Sequence, residues 1–136
     1  MIQLLYSEKG NGKTKKMIDM ANEDVKTSEG NVVFIDDDKR CMYDVAREIR
    51  FVDITEYDIS SECGLYGFMS GMIAQNSDIC SIYIDGFMKI AHTNVRDAEK
   101  FFEKAKKLTD DNNIKLVMIV SANPAEAPEY LKGYIL

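Results

Sequence analysis

The sequence predicts an α/β fold, a three-layer sandwich with a mainly parallel five-stranded sheet, on three observations. Short apolar runs rich in Ile, Val, Phe and Tyr alternate with stretches of helical spacing, as in successive βαβ units. One of the runs, Asn31 to Ile35, is apolar almost throughout, as strands covered on both faces are. The length of 136 residues, with 46% hydrophobic and 29% charged residues, suits one domain over residues 1–136 that buries a core without disulfides.

The first strand is Ile2 to Tyr6. The helix after it runs from about Lys13 to Ser28, with Met17, Ile18, Met20, Ala21 and Val25 on one face and Gly30 stopping it. Asn31 to Ile35 is the second strand, ending abruptly in Asp36-Asp37-Asp38-Lys39-Arg40. A helical pattern follows from Met42 to Arg50, then a half-polar strand, Phe51 to Thr55, suited to a sheet edge. Ser60 or Ser61 caps a helix from about Glu62 to Gln75. In that helix Gly67 and Gly71, small residues four apart in Gly67-Phe68-Met69-Ser70-Gly71, suggest close packing on the sheet. Strands Ile79 to Ile84 and Ile114 to Val120 flank an amphipathic helix from Asn94 to Asp110, and a short helix from Pro124 to Leu131 closes the chain.

Seventeen basic against twenty-three acidic residues give a net charge of −6, which weighs against nucleic acid and anionic membranes as partners. Three scattered cysteines and the single His92 offer neither a zinc set nor a disulfide framework. There is no signal-peptide pattern and no run of the roughly 18 to 20 apolar residues that a spanning helix needs. A cytoplasmic protein is expected.

The most informative stretch is Ser7-Glu8-Lys9-Gly10-Asn11-Gly12-Lys13-Thr14, between a predicted strand and a predicted helix. Glycines at positive φ turn successive N–H groups inward, and the helix N-terminus adds its positive dipole end, so phosphate oxygens find several donors at once. Lys13 can reach the outer phosphates and the Thr14 hydroxyl can hold Mg²⁺. These residues resemble the Walker A motif of P-loop nucleoside triphosphatases, with Ser7 where the first glycine is usual, a departure that predicts a strained or misshapen loop. The resemblance implies ATP held by Lys9, Gly10, Asn11, Gly12, Lys13, Thr14 and Lys15, with Lys13 also acting in catalysis.

Ile82-Tyr83-Ile84-Asp85 fits a Walker B strand, whose aspartate joins Thr14 in holding Mg²⁺; the plainer reading is a strand closed by an Asp-Gly turn. Gly86 follows where many hydrolysing relatives place a glutamate. The resemblance to RecA-like and other additional-strand ATPases implies a catalytic base at the end of the second strand, with Asp38 the nearest match and Asp37 next. The plainer reading there is a solvated charge run that caps a helix. Ser121 or Asn123, ending the strand beside Walker B, can sense the γ-phosphate, or Asn123 can cap the helix opened by Pro124. Arg40, Arg47 and Arg50 can reach phosphate in this chain or a neighbour, and no spacing singles one out.

The chain has no Asn-Lys-x-Asp, so ATP is favoured over GTP. It is also similar to small bacterial proteins described as ATP-binding or twitching-motility-like. Three functions follow from these likenesses. One is a slow ATPase, activated by a homo-oligomer or protein partner that supplies an arginine. The second is an ATP-dependent switch in which the γ-phosphate orders Asp36 to Arg40. The third is an interaction protein with a relic loop. A thymidine-kinase-like phosphotransferase is a further alternative, against which stands the lack of that family's cysteine cluster.

Overall fold

The computed structural model describes residues 1–136. Five strands, β1 (Ile2–Ser7), β2 (Asn31–Asp36), β3 (Arg50–Asp53), β4 (Ile79–Ile84) and β5 (Lys115–Ser121), form one sheet in the order β1-β5-β4-β2-β3. Every neighbouring pair is parallel, so the sheet is wholly rather than mainly parallel. The carboxyl ends of all five strands therefore share one rim. β5 lies between β1 and β4, which separates the strand before the glycine-containing loop from the strand that leads into Asp85. On the outer side of β1, the Leu136 N–H donates to the Leu4 carbonyl at 3.0 Å.

Side chains alternate across the sheet as the pleat requires. Leu5, Phe34, Tyr83 and Val117 face helix α1 (Lys13–Thr27), meeting Met17, Ile18 and Ala21. Leu4, Ile35, Ile84 and Met118 face the other layer, made of α2 (Glu62–Gln75), α3 (Phe87–Ala91) and α4 (Glu99–Asp111). There Phe87 packs on Phe101 and Phe102 with ring centroids 4.9 and 5.4 Å apart. One polar hub pins α1 to the sheet. An Asp24 carboxylate oxygen accepts from the Ser81 hydroxyl at 2.8 Å, the Tyr83 hydroxyl at 2.7 Å and the Lys115 ammonium at 3.0 Å. Ser28 donates to its other oxygen at 3.0 Å. Burial opposes the charge of Asp24, but these donors outweigh it and hold the carboxyl down at about 2.

Four expectations are corrected. The pattern from Met42 to Arg50 is not a helix: only Met42–Asp44 forms a 3₁₀ turn. The buried trio Cys41, Val45 and Ile49 has helical spacing, but α1 overrides it, because the Asn22 amide donates to the Asp44 carbonyl at 2.9 Å and accepts from the Ala46 N–H at 2.8 Å. Val45, held between them, is extended. Second, the helix expected from Asn94 divides. Asn94 caps a 3₁₀ turn, Val95–Asp97, by accepting from the Arg96 N–H, and α4 starts at Glu99.

Third, the closing segment is a pair of 3₁₀ turns, Pro124–Glu126 and Glu129–Tyr134, in place of one α-helix. Fourth, Gly67 and Gly71 lie on the exposed side of α2, where an added Cβ would meet nothing within 4 Å, so they do not serve close packing on the sheet. Leu65, Met69 and Ile73 make that contact instead. The edge position of β3 and the Ser61 cap on α2, accepting from the Gly64 N–H at 2.9 Å, agree with the sequence.

Candidate functional site

The loop between β1 and α1 takes its shape from two glycines. Gly10 has φ 86° and Gly12 φ 72°, conformations that cost an L side chain about 1–2 kcal/mol. A Cβ at either position would meet nothing within 4 Å, so it is the backbone conformation and not crowding that calls for glycine here. Ser7 is the last residue of β1 and does not have a positive φ, so the strain expected of a serine there is absent. Its carbonyl accepts from the Ala122 N–H at 3.0 Å, tying the loop's entry to the end of β5.

Lys13 is only 9% exposed, and its ammonium donates to the Glu8 carbonyl of its own loop at 2.9 Å. Burial lowers its pKa and the Asp85 charge partly restores it. One residue on, the Thr14 hydroxyl donates to an Asp85 carboxylate oxygen at 2.8 Å. Asp85 follows β4 directly, and its N–H donates to the Ile35 carbonyl at 2.9 Å. Burial raises its carboxyl above the usual range, opposed by the Thr14 bond and reinforced by the charges of Asp37 and Asp38.

The three aspartates that end β2 have different surroundings. Asp36 is 5% exposed; its carboxyl accepts from the Asp37 N–H at 2.7 Å and from the Cys41 thiol at 3.0 Å. Burial, then the neighbouring Asp37 carboxyl, push Asp36 up to about 7, and burial with this same bond pushes Cys41 up to about 12. Asp37 is half-buried against Gly86, with the Lys89 ammonium 4.0 Å from its carboxylate. Asp38 accepts from the Arg40 N–H at 2.9 Å and from its guanidinium Nε at 2.8 Å. Carboxylate oxygens of the three lie within 4.8 Å of one another.

These groups line one cleft of about 1210 Å³ at the carboxyl rim of the sheet. Of the residues singled out by the sequence, Lys9, Gly10, Gly12, Lys13, Thr14, Lys15, Asp37, Asp38, Asp85 and Ser121 line it. Asn11 belongs to the loop but not to the lining, and Lys15 pairs with Asp19, another lining residue, at 3.3 Å. Asn123 lies outside, capping the turn at Pro124 by accepting from the Ala125 N–H at 3.0 Å. Arg47 and Arg50 lie outside as well, whereas Arg40 lines the cleft.

Sequence reasoning gave no role of their own to Asp36, Cys41 and α3, which brings Phe87, Met88 and Lys89 to the cleft. The signal for Asp36 was available: it is the last residue of a strand apolar enough to be buried, so its carboxyl is drawn under the rim.

No protein-family model matches the sequence, and no curated protein matches it. Among solved structures, the chain is similar to flagellar accessory protein FlaH from Methanocaldococcus jannaschii. The TM-score is 0.57 at 14% sequence identity, over 97% of this chain and 65% of that one. The likeness is one of fold. This chain spans less than two thirds of the FlaH chain, and what the likeness supports is its α/β architecture, a five-stranded parallel sheet with helices on both faces. No helix is long and apolar enough to cross a membrane.

Proposed function

We propose that the cleft binds Mg-ATP and hydrolyses it slowly. The observation that carries this reading is the 2.8 Å bond between Thr14, at the start of α1, and Asp85, at the end of β4. It joins the two motifs expected to share a magnesium ion, beside a loop whose two glycines line the cleft. The residues suit the ion: a hydroxyl and a carboxylate are hard oxygen donors, and Mg²⁺ needs only one or two such protein ligands beside phosphate and water. Bound there, the ion would neutralise charge developing on the phosphates.

The chain's own groups divide the remaining work. Loop N–H groups at the amino end of α1 bind phosphate oxygens, and Lys13 exchanges the Glu8 carbonyl for the outer phosphates. Ser121, at the end of the intervening strand, lies where it can meet the γ-phosphate. Slow turnover follows from the state of the acids. Asp38 is engaged by Arg40, Asp36 shares a buried bond with Cys41, and Gly86 follows Asp85. Asp37, whose cation partner, the Lys89 ammonium, stands 4.0 Å away, is left as the carboxylate best able to orient water.

The test is thermal unfolding with Mg-ATP. Ligand at a hundred times its dissociation constant stabilises the folded state by about 2.7 kcal/mol. Wild type should show a rise in Tm, Lys13→Ala should lose it, and steady-state turnover should be slow and abolished by Asp85→Asn. A wild type whose Tm ignores saturating Mg-ATP would refute the reading.

A further inference from the structure

The turn after β2 holds a cation that the reading above does not use. We propose that Arg40 is this chain's own γ-phosphate ligand, exchanging its pairing with Asp38 for the terminal phosphate of ATP. The proposal rests on the cleft being an ATP site, and it identifies which residue tells ATP from ADP.

Topology places Arg40 suitably. β2 pairs with β4, and Asp85 bonds to Ile35, so the turn from Asp36 to Arg40 leaves the sheet one strand spacing, about 4.8 Å, from Asp85. Asp85 in turn touches Thr14 at the mouth of the phosphate loop. The loop's lysines approach a triphosphate from the α1 side, and Arg40 approaches from the β2 side. It is the one arginine that lines the cleft. Arg50 opens β3, so it sits at the amino rim of a parallel sheet, away from the site.

The chemistry suits the exchange. A guanidinium is a planar fork whose N–H groups match carboxylate and phosphate oxygens alike. Its Nε already holds a carboxylate oxygen at 2.8 Å in the same cleft. The side chain is 82% exposed, so no packing opposes its swing, and an exposed ion pair of this kind contributes little to stability. A terminal phosphate carries more charge than the single carboxylate it replaces. On this account Asp38 is the resting partner of Arg40, competing with the terminal phosphate for its guanidinium, in place of the water-activating base suggested by its position after β2.

Calorimetric titrations with Mg-ATP and Mg-ADP on wild type, Arg40→Ala, Arg40→Lys, Asp38→Asn and Lys13→Ala test this. Arg40→Ala should fold with an unchanged Tm, lose about tenfold in ATP affinity and keep its ADP affinity, since a charged hydrogen bond is at stake. Arg40→Lys should fall between it and wild type. Asp38→Asn should bind ATP more tightly and ADP as before. Lys13→Ala should lose both nucleotides. Equal ATP affinity in wild type and Arg40→Ala, or equal losses for ATP and ADP, would overturn the role of Arg40 while leaving the ATP site standing. A wild type that binds neither nucleotide would overturn the site and this proposal together.

Discussion

The Thr14 hydroxyl and the Asp85 carboxylate meet at 2.8 Å although 71 positions separate them in the chain. The bond spans from the α1 layer to the end of β4, so it depends on the order of strands in the sheet as well as on both residue types. Thr14→Ala leaves a half-buried carboxylate without its donor, and Asp85→Asn removes its charge. Each variant should bind ATP at least about tenfold more weakly in Mg²⁺ while differing little from wild type in EDTA. Thr14→Ser should behave as wild type. Calorimetry in the two buffers checks all three, and a loss of equal size in EDTA would remove magnesium from the account.

Gly86 is constrained from two sides. Its φ is 87°, and a Cβ would sit 3.3 Å from the Asp37 carboxyl carbon. Gly86→Ala should therefore lower stability by roughly 1–2 kcal/mol in urea unfolding. Gly86→Glu, which adds a carboxylate beside Asp85, should fail to raise turnover for the same reason. A stable Gly86→Glu variant with faster hydrolysis would show that backbone strain is not what shapes this turn.

The Asp24 hub predicts an acid-side stability term. Its carboxyl is held at about 2 against an unfolded value near 3.8, so its contribution is present above about pH 4 and is lost as pH falls through 2. The shift corresponds to roughly 2 kcal/mol. Asp24→Asn should be less stable than wild type by about that amount at pH 7, with the gap closing toward pH 2. Denaturant titrations at the two pH values measure it.

Asp36 works in the opposite direction. Its folded pKa, raised to about 7, lies above the unfolded one, so the folded state retains a proton that the unfolded state releases. Its contribution is fully present below about pH 4 and is lost as pH rises through 7. Asp36→Asn, which keeps the acceptor for the Asp37 N–H, should be more stable than wild type at pH 8 by on the order of 1–2 kcal/mol. Toward pH 4 the difference should vanish. A variant less stable than wild type at pH 8 would mean that the Cys41 bond outweighs the burial of charge.

The layers and the turn between β1 and α1 were legible because local signals agreed there: Gly10, Gly12 and Lys13 stand between an apolar strand and a helix with a continuous stripe. What was not legible depends on contacts distant in sequence. Nothing near Val45 announces that Asn22 will hold the backbone on either side of it. Helix α3 is five residues long, too short for a periodic signal, and its place is set by Phe87 entering the aromatic cluster with Phe101 and Phe102. The site shows the same division. Thr14 and Asp85 were readable from their motifs, whereas the different surroundings of Asp36, Asp37 and Asp38 arise from Cys41, Lys89 and Arg40, which only the folded turn brings to them.

The most direct test of the central claim is an isothermal titration of the protein with ATP, with and without Mg²⁺, beside Lys13→Ala. The account predicts saturable ATP binding that strengthens with Mg²⁺ and disappears in the variant. A folded wild type that takes up no ATP at millimolar concentration in either buffer, or a Lys13→Ala variant that binds as wild type does, would contradict it.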